Sequence, residues 1–180
     1  MPNLDDLTPG TWNIDPNHSA VTFMARHLMI TRVRGTFGEV SGVLTIAEDK
    51  LASTVEATIA MASVTTGSEG RDGHVKGPEF FDVETYPNMT FTSTGLRGDG
   101  AEYVLTGDLT IKGVSKSVEL DLEFEGVSPD PWGGTRVGFS ASGEVNRRDF
   151  GLDFDVKLDT GGVLVSEKIK IELEIQAVKA

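Results

Sequence analysis

The sequence predicts an all-β protein of roughly eight to ten antiparallel strands. Apolar and polar residues alternate through most of the chain, as they do in strands with one buried face. Twenty-one glycines mark turns, many of hairpin length, and segments of helical period are scarce outside residues 68–87. Consecutive strands with one apolar face each must cover those faces together, so the pattern predicts either a sandwich or a closed barrel.

Composition limits the classes of function. A chain of 180 residues with 38% hydrophobic content fits one domain, which we expect over residues 11–180 after a flexible N-terminal tail at residues 1–10. The formal net charge of −12 disfavours binding to phosphate backbones, so we expect no nucleic-acid partner. The chain has no cysteine, which excludes disulfides, cysteine-bound metals and a thiol nucleophile.

The ends and the hydropathy of the chain bear on its location. The acidic N-terminus has no apolar signal-peptide core, and no apolar run is long enough to span a bilayer. The sequence therefore predicts no membrane-spanning segment and a cytoplasmic protein. The expected partner is a hydrophobic small molecule, and the surface allows for a homodimer.

The alternation of apolar and polar residues predicts the position of each strand along the chain. They are predicted over residues 11–14, 19–28, 32–35, 37–46, 53–64, 88–96, 102–112, 118–125, 135–145 and 163–178, with 152–158 a strand or a long connection. The clearest strand sets four apolar residues against four acids. The apolar set is Val118, Leu120, Leu122 and Phe124, and the acidic set is Glu119, Asp121, Glu123 and Glu125. The acidic face must be solvated, so it lies outside.

The inward residues leave two interpretations open. Several are small, among them Ala25, Ala57, Gly107, Ala141 and Gly143, and Met61 and Met89 are flexible. Small inward residues favour a lumen that holds one ligand, for which a barrel of about eight strands has room. Alternatively, large and small side chains interlock into a solid core.

Residues 68–87, SEGRDGHVKGPEFFDVETYP, break the strand pattern. Ser68 is a suitable N-cap and Gly77–Pro78 a suitable stop, so we expect a short helix over residues 68–75. Phe80 and Phe81 follow the charged turn, and we expect one ring over the barrel mouth and the other in the core. An exposed Phe80–Phe81 patch for a protein partner is a further alternative.

Arg71, Asp72 and His74 form the chain's one tight cluster of residues suited to polar chemistry. They could anchor the polar head of a ligand whose chain lies in the barrel, or brace the loop through hydrogen bonds. As an alternative function, the same cluster could be the centre of an enzyme that acts on a lipid-like substrate.

Other catalytic and metal-binding patterns are weak. His18, His27 and His74 lie on separate segments without metal-ligand spacing, so no metal is predicted, and we expect His27 near one end of the lumen. No nucleotide-binding or nucleophile-elbow motif is present. We expect Trp12 and Trp132 to plug the ends of the barrel.

Several motifs resemble the YceI-like family. They are Asp15-Pro-Asn-His-Ser at the first turn, Arg71-Asp72-x-His74 with Phe80-Phe81, Tyr86-Pro87 and Phe91-Thr-Ser-Thr94 in the centre, and Asp130-Pro-Trp-Gly-Gly and Arg148-Asp-Phe-Gly later. The resemblance covers nearly the whole chain. It implies a single antiparallel eight-stranded lipocalin-like barrel, with one helical or loop insertion around residues 68–87.

The resemblance also implies a function. The barrel would bind and sequester or transport a long-chain isoprenoid or similar lipid, without catalysis and without a cofactor other than a bound isoprenoid or quinone-like lipid. The head-group anchor expected from the residues themselves is Arg71, Asp72 and His74. The expected lumen residues are Phe23, Ala25, His27, Val55, Ala57, Ile59, Met61, Phe80, Phe81, Met89, Phe91, Leu105, Leu109, Leu122, Phe124, Phe139 and Ala141.

Overall fold

The computed structural model describes residues 2–28, 30–154 and 165–180. Within these residues the chain forms eleven strands, one α-helix and five short 3-10 turns. The strands are β1 (Gly10–Ile14), β2 (Ala20–His27), β3 (Thr31–Phe37), β4 (Val40–Ile46), β5 (Thr54–Ala60), β6 (Val64–Thr65), β7 (Asn88–Asp99), β8 (Glu102–Ile111), β9 (Val114–Pro129), β10 (Thr135–Asn146) and β11 (Lys168–Lys179). The helix is α1 (Glu69–Lys76), and the 3-10 turns are Leu4–Asp6, Pro16–His18, Lys50–Ala52, Met61–Ser63 and Arg147–Phe150.

Eight strands close into an antiparallel barrel. Their order is β1, β4, β5, β7, β8, β9, β10 and β11, and β11 returns to pair with β1. Trp12 of β1 lies opposite Leu44 on one side and Lys179 on the other. The closed barrel is therefore the correct one of the two predicted arrangements, and the eight-stranded barrel with one helical insertion is confirmed.

The remaining strands extend the wall. β2 continues the course of β1 after the Pro16–His18 turn and pairs with the first half of β11. β3 pairs with β2, and β6 adds two residues beside β3. We call the end that carries α1 and the β2–β3 and β8–β9 turns the helix end, and the opposite end the plugged end.

The plugged end is closed by the N-terminal residues. Leu4, Leu7 and Trp12 are buried, and the Leu4 amide donates to the Gly100 carbonyl at 3.1 Å. The indole Nε1 of Trp12 donates to the Thr8 carbonyl at 3.1 Å. The sequence predicted a flexible tail over residues 1–10, whereas the apolar Leu4 and Leu7 gain by covering the barrel end.

Trp132 lies outside the barrel, and the prediction that it plugs an end is wrong. Its side chain is 81% exposed. The carboxylate of Asp130 accepts hydrogen bonds from the amides of Trp132 (2.9 Å) and Gly134 (2.8 Å). These hydrogen bonds fix a turn that extends beyond the barrel wall, so the indole of Trp132 lies in solvent.

Two buried glycines make room for phenyl rings that lie against the neighbouring strand. A Cβ at Gly35 would lie 2.2 Å from the Phe23 ring, and one at Gly107 would lie 2.3 Å from the Phe91 ring. Any larger side chain would move these rings. The small inward residues therefore shape the interior by letting aromatic rings lie against the wall.

Within the described residues no helix has the length and apolar character needed to cross a bilayer.

An ionic cluster on the outer wall joins the two ends of the chain. The Arg136 guanidinium donates from Nη1 to Asp15 Oδ2 (2.6 Å) and Gln176 Oε1 (2.9 Å), and from Nε to Asp130 Oδ2 (3.1 Å). Asp15 also contacts the His18 imidazole at 2.8 Å. Hydrogen bonds from Arg136 and then His18 lower the pKa of Asp15 from 3.8 to about 2.

We expect Asp15→Asn to lower the free energy of unfolding by about 2 kcal/mol at pH 6, because each unit of pKa shift corresponds to about 1.4 kcal/mol. The folded pKa lies below the unfolded one, so the carboxylate contributes fully above about pH 4 and loses its contribution as the pH falls toward about 2. Urea denaturation at several pH values should show the deficit shrinking over that interval. Asp121→Asn, on the exposed face of β9, is the control. A deficit independent of pH would contradict this account.

Candidate ligand-binding cavity

The barrel encloses a cavity of about 600 Å³ with almost entirely apolar walls. This volume lies within the roughly 300–1,000 Å³ typical of small-molecule sites. The interior is therefore a lumen suited to an apolar occupant, and the alternative of an interlocked solid core is wrong.

The predicted lumen residues lie on this wall, apart from Met61 and Phe124. β5 ends at Ala60, and Met61 begins a 3-10 turn, so the alternation of the strand is lost there. Phe124 lies beyond the last β8 pairing, donates its amide to the Ala101 carbonyl at 2.8 Å and packs its ring on Phe139. Both side chains are buried in the wall and not in contact with the lumen.

Residues of polar type border the lumen mainly at the helix end. There the wall includes groups from β2, α1 and the segment after β10. The polar lining residues are Arg26, His27, Ser53, Thr54, Thr66, Arg71, His74, Ser140 and Arg147. The cavity is thus amphipathic along its length, with an apolar body and a polar, partly cationic mouth.

The helix α1 forms as its sequence predicts. Ser68 caps it by accepting a hydrogen bond from the Arg71 amide at 3.4 Å, and the Gly77 amide closes it by donating to the His74 carbonyl at 3.1 Å. Residues 70, 71, 74 and 75 lie on one helical face and line the cavity. The helix therefore forms part of the lumen wall at the mouth.

Arg71 and His74 are placed at the mouth. Arg71 Nε donates to Thr66 Oγ1 at 3.1 Å, and its side chain remains exposed. His74 Nε2 lies 2.8 Å from Glu79 Oε2. The imidazole also meets the rings of Phe80 and Phe154 edge to face, with centroids 5.1 and 5.0 Å apart. Both side chains thus lie at the boundary between the solvent and the lumen.

Asp72 is placed differently and does not line the lumen. Its Oδ1 accepts hydrogen bonds from the Thr66 amide (2.7 Å) and hydroxyl (2.5 Å). The Thr66 hydroxyl and amide lower the pKa of this carboxyl against the opposing effect of desolvation. We therefore assign Asp72 to bracing α1 against the preceding segment, and we withdraw it from the predicted anchor.

The two adjacent phenylalanines separate. Phe81 packs inside against Phe23 and Phe37, with ring centroids 6.4 and 5.8 Å apart. Phe80 packs at the mouth on Phe154, with centroids 4.9 Å apart. Both rings are partly buried and line the cavity, so the alternative of an exposed Phe80–Phe81 patch for a protein partner is wrong.

The sequence did not identify Arg147 as a lumen residue. The residue is only 3% exposed and lines the cavity. Its guanidinium donates to the carbonyls of Leu152 (2.5 Å), Ser166 (3.0 Å) and Val165 (3.1 Å). The only available signal was its position beside Phe150 and Leu152, and nothing in the Arg147–Arg148 pair shows which arginine turns inward.

Arg147 thereby fastens the segment after β10 to the segment before β11. The predicted strand or connection over residues 152–158, and the beginning of the predicted strand 163–178, lie partly outside the described residues.

The histidines occupy three separate places. His18 pairs with Asp15 on the outer wall, His27 lies on the cavity wall and His74 lies at the mouth. Among residues 2–28, 30–154 and 165–180, no group of three or more His, Cys, Asp or Glu side chains has metal-binding geometry.

Fold and cavity together define a closed antiparallel barrel with an apolar, ligand-sized lumen. The model of the YceI-like domain matches residues 12–177. The chain belongs to the YceI-like family.

Curated relatives support this membership. A UPF0312 protein of Photorhabdus laumondii is 40% identical over 145 residues, which cover 80% of this chain and 76% of that protein. The protein YceI of Escherichia coli O157:H7 is 37% identical over 163 residues, which cover 90% and 82% of the two chains.

Solved structures share the fold. A Campylobacter jejuni YceI protein superposes with a TM-score of 0.72 at 33% identity, covering 86% of this chain and 90% of that one. A domain from Saccharophagus degradans, described as polyisoprenoid-binding, superposes with a TM-score of 0.72 at 15% identity and covers 96% and 100%. At that identity the second likeness concerns the fold alone.

We expect Arg147→Met to lower the free energy of unfolding by at least about 3 kcal/mol, because three carbonyls lose a charged donor. Arg147→Lys should restore little, since an ammonium cannot reproduce the geometry of the guanidinium. Chemical denaturation gives both values. The control is Arg97→Met, which removes an ion pair to Glu119 with both side chains 61% exposed and should cost about 1 kcal/mol or less. An equal loss of unfolding free energy in the two methionine variants would show that Arg147 does not hold the segment after β10 to the segment before β11.

Proposed function

We propose that this protein binds a long-chain isoprenoid or similar lipid in its lumen and sequesters or transports it without chemical change. The supporting observation is the apolar cavity of about 600 Å³, whose wall extends from Leu4 at the plugged end to His74 at the mouth. A ligand with a long apolar chain and a polar head matches this distribution of side chains.

The energetics favour such a ligand. Each buried CH₂ contributes about 0.8 kcal/mol, so a few prenyl units supply more than enough free energy to offset the cost of ordering the chain. Apolar walls discriminate poorly between chains of similar girth. Most of the specificity must therefore come from groups at the mouth.

Comparison with relatives supports the same ligand class. The Saccharophagus degradans domain, described as polyisoprenoid-binding, has the same barrel and covers 96% of this chain. A shared barrel with a lumen gives this chain the means to hold a comparable ligand. The predicted cytoplasmic location and the homodimer stay predictions from the sequence.

Arg71 and His74 are the proposed head-group anchor. Arg71 is held by Thr66 yet exposed, and His74 is oriented by Glu79 with its ring against Phe80 and Phe154. A phosphate or other polar head at the mouth would receive charge-assisted hydrogen bonds from Arg71. The apolar chain would then extend past Phe80 into the lumen.

The second candidate function is an enzyme with its centre at the same mouth. The observation that favours it is the His74–Glu79 contact of 2.8 Å, which orients an imidazole as in a general base. Asp72 gives no support, since its carboxylate is bonded to Thr66. Loss of a lipid-converting activity in His74→Ala, with ligand affinity unchanged, would favour this candidate.

The proposed function predicts opposite selectivities for two sets of variants. Arg71→Ala and His74→Ala should weaken a prenyl phosphate by roughly ten- to a hundredfold and its hydrocarbon counterpart much less, because a charge-assisted contact is worth about 1.5–3 kcal/mol. Ala57→Phe and Ala141→Phe, which fill the lumen, should weaken long chains whatever their head group. Competition binding with the two ligands measures both effects.

The control for the lumen variants is Ala62→Phe, at an exposed position outside the strands. Equal losses for both ligands in the Arg71 and His74 variants would show that these residues only brace the mouth. Unchanged binding of long chains in both lumen variants would show that the ligand lies elsewhere.

A further inference from the structure

We propose that the tip of the β2–β3 hairpin docks onto an anionic lipid bilayer. The docking surface consists of Leu28 and Ile30 in the turn and of Arg26, Arg32 and Arg34 on the adjoining strands. This surface lies on the outside of the barrel and does not depend on the identity of any molecule in the lumen.

The turn presents two apolar side chains to solvent. Ile30 is 76% exposed and Leu28 is 39% exposed. The Ile30 amide donates to the His27 carbonyl at 3.1 Å, which closes the turn. Leu28 has a φ of 56°, a left-handed conformation that is costly for a bulky residue. Leu28 thus occupies a position where glycine or asparagine would fit the backbone better, which points to a use for its side chain.

The three arginines lie on the outer face of the hairpin. Arg26 and Arg32 are direct cross-strand partners, and Arg34 lies two residues further along β3. All three side chains are exposed, and none forms an ion pair within the described parts of the chain. Like charges directly opposite on two strands are unfavourable for the fold. An external anion would relieve this repulsion.

The surroundings extend the positive character. Lys170 of β11 pairs with Met24, whose other partner is Arg34, so a third strand adds a cation on the same face, with Glu144 of β10 opposite it on the far side. Lys168, two residues before Lys170, has its Nζ 3.9 Å from Glu144 Oε1, so its charge is partly neutralised by that carboxylate. Residues 16–38 contain no aspartate or glutamate, although the chain has 28 such residues.

The overall charge of −12 does not prevent this contact. At physiological ionic strength, charges are screened beyond about 8–10 Å, so a bilayer in contact with the hairpin experiences mainly the local arginines. The outer-face acids of β9 lie on the side wall of the barrel. The helix end also carries the exposed acids Glu69, Glu79 and Glu84, so the hairpin tip and not the whole end would make the contact.

Aliphatic side chains at a tip, flanked by arginines, match the boundary of a bilayer with anionic head groups. Arginine is attracted to the negatively charged head groups, and the aliphatic tip can enter the acyl region. His27 of the same hairpin lines the cavity, so the docked tip belongs to the rim of the lumen. Docking would therefore place one side of the barrel mouth next to the membrane.

The test is flotation of the full chain with vesicles of phosphatidylcholine alone or of equal parts phosphatidylcholine and phosphatidylglycerol. We expect binding to the anionic vesicles only, weakening as salt is raised. The triple variant Arg26→Gln, Arg32→Gln, Arg34→Gln should bind on the order of a hundredfold more weakly, at about fivefold per arginine. Ile30→Ser should lose about tenfold.

The matched control lies at the opposite end, where Trp132 is an exposed large apolar residue and Lys50 and Lys179 supply cations. Trp132→Ser, Lys50→Gln, Lys179→Gln should leave vesicle binding unchanged. Thermal unfolding verifies that each variant is folded, which is expected because the altered side chains are exposed or partly exposed.

Three results would overturn the proposal. They are no preference for anionic vesicles, equal binding by the hairpin variants and the wild type, and loss of binding in the control variant. If the arginine variant binds vesicles normally but loses affinity for a prenyl phosphate in solution, the arginines serve the luminal ligand and the docking role is dropped. Failure of luminal binding alone would leave the vesicle result intact, so the two proposals are separable.

Discussion

The structure depends on the closure of the sheet between β1 and β11. Trp12 lies in β1, opposite Lys179 of β11 and Leu44 of β4, and it is completely buried. Without this pairing, both strands would expose unpaired backbone groups at a sheet edge. The ionic cluster around Arg136 lies beside the same junction and ties the turn after β1 to β10 and β11. Closure therefore joins the two ends of the chain and encloses one interior.

A closed barrel of eight strands can be filled or can hold a ligand, and the inward residues decide which. Ala57 and Ala141 face the cavity, and Gly35 and Gly107 let the rings of Phe23 and Phe91 lie close to the wall. The result is an apolar lumen plugged by the N-terminal residues. Its other end is polar because α1 and the segment containing Arg147 replace strand there. This asymmetry gives a long amphipathic ligand one orientation.

Much of this could be predicted from the sequence, because the alternation of apolar and polar residues is local information. The strands, the helix capped by Ser68 and most of the lumen wall follow from such patterns. The inward turn of Arg147 and the packing of Leu4 against the barrel end could not, since both depend on partners distant in sequence. Met61 shows a third limit, because a strand pattern continues in sequence after the strand has ended.

The most direct test of the central claim is mass spectrometry of organic extracts from the purified protein, with native mass spectrometry to count bound molecules. The account predicts about one long-chain apolar lipid with a polar head per barrel, released on unfolding, and renewed uptake when a prenyl lipid is added to the stripped protein. A protein that carries no lipid and takes up none from added prenyl lipids would contradict the assignment of the cavity as a lipid site.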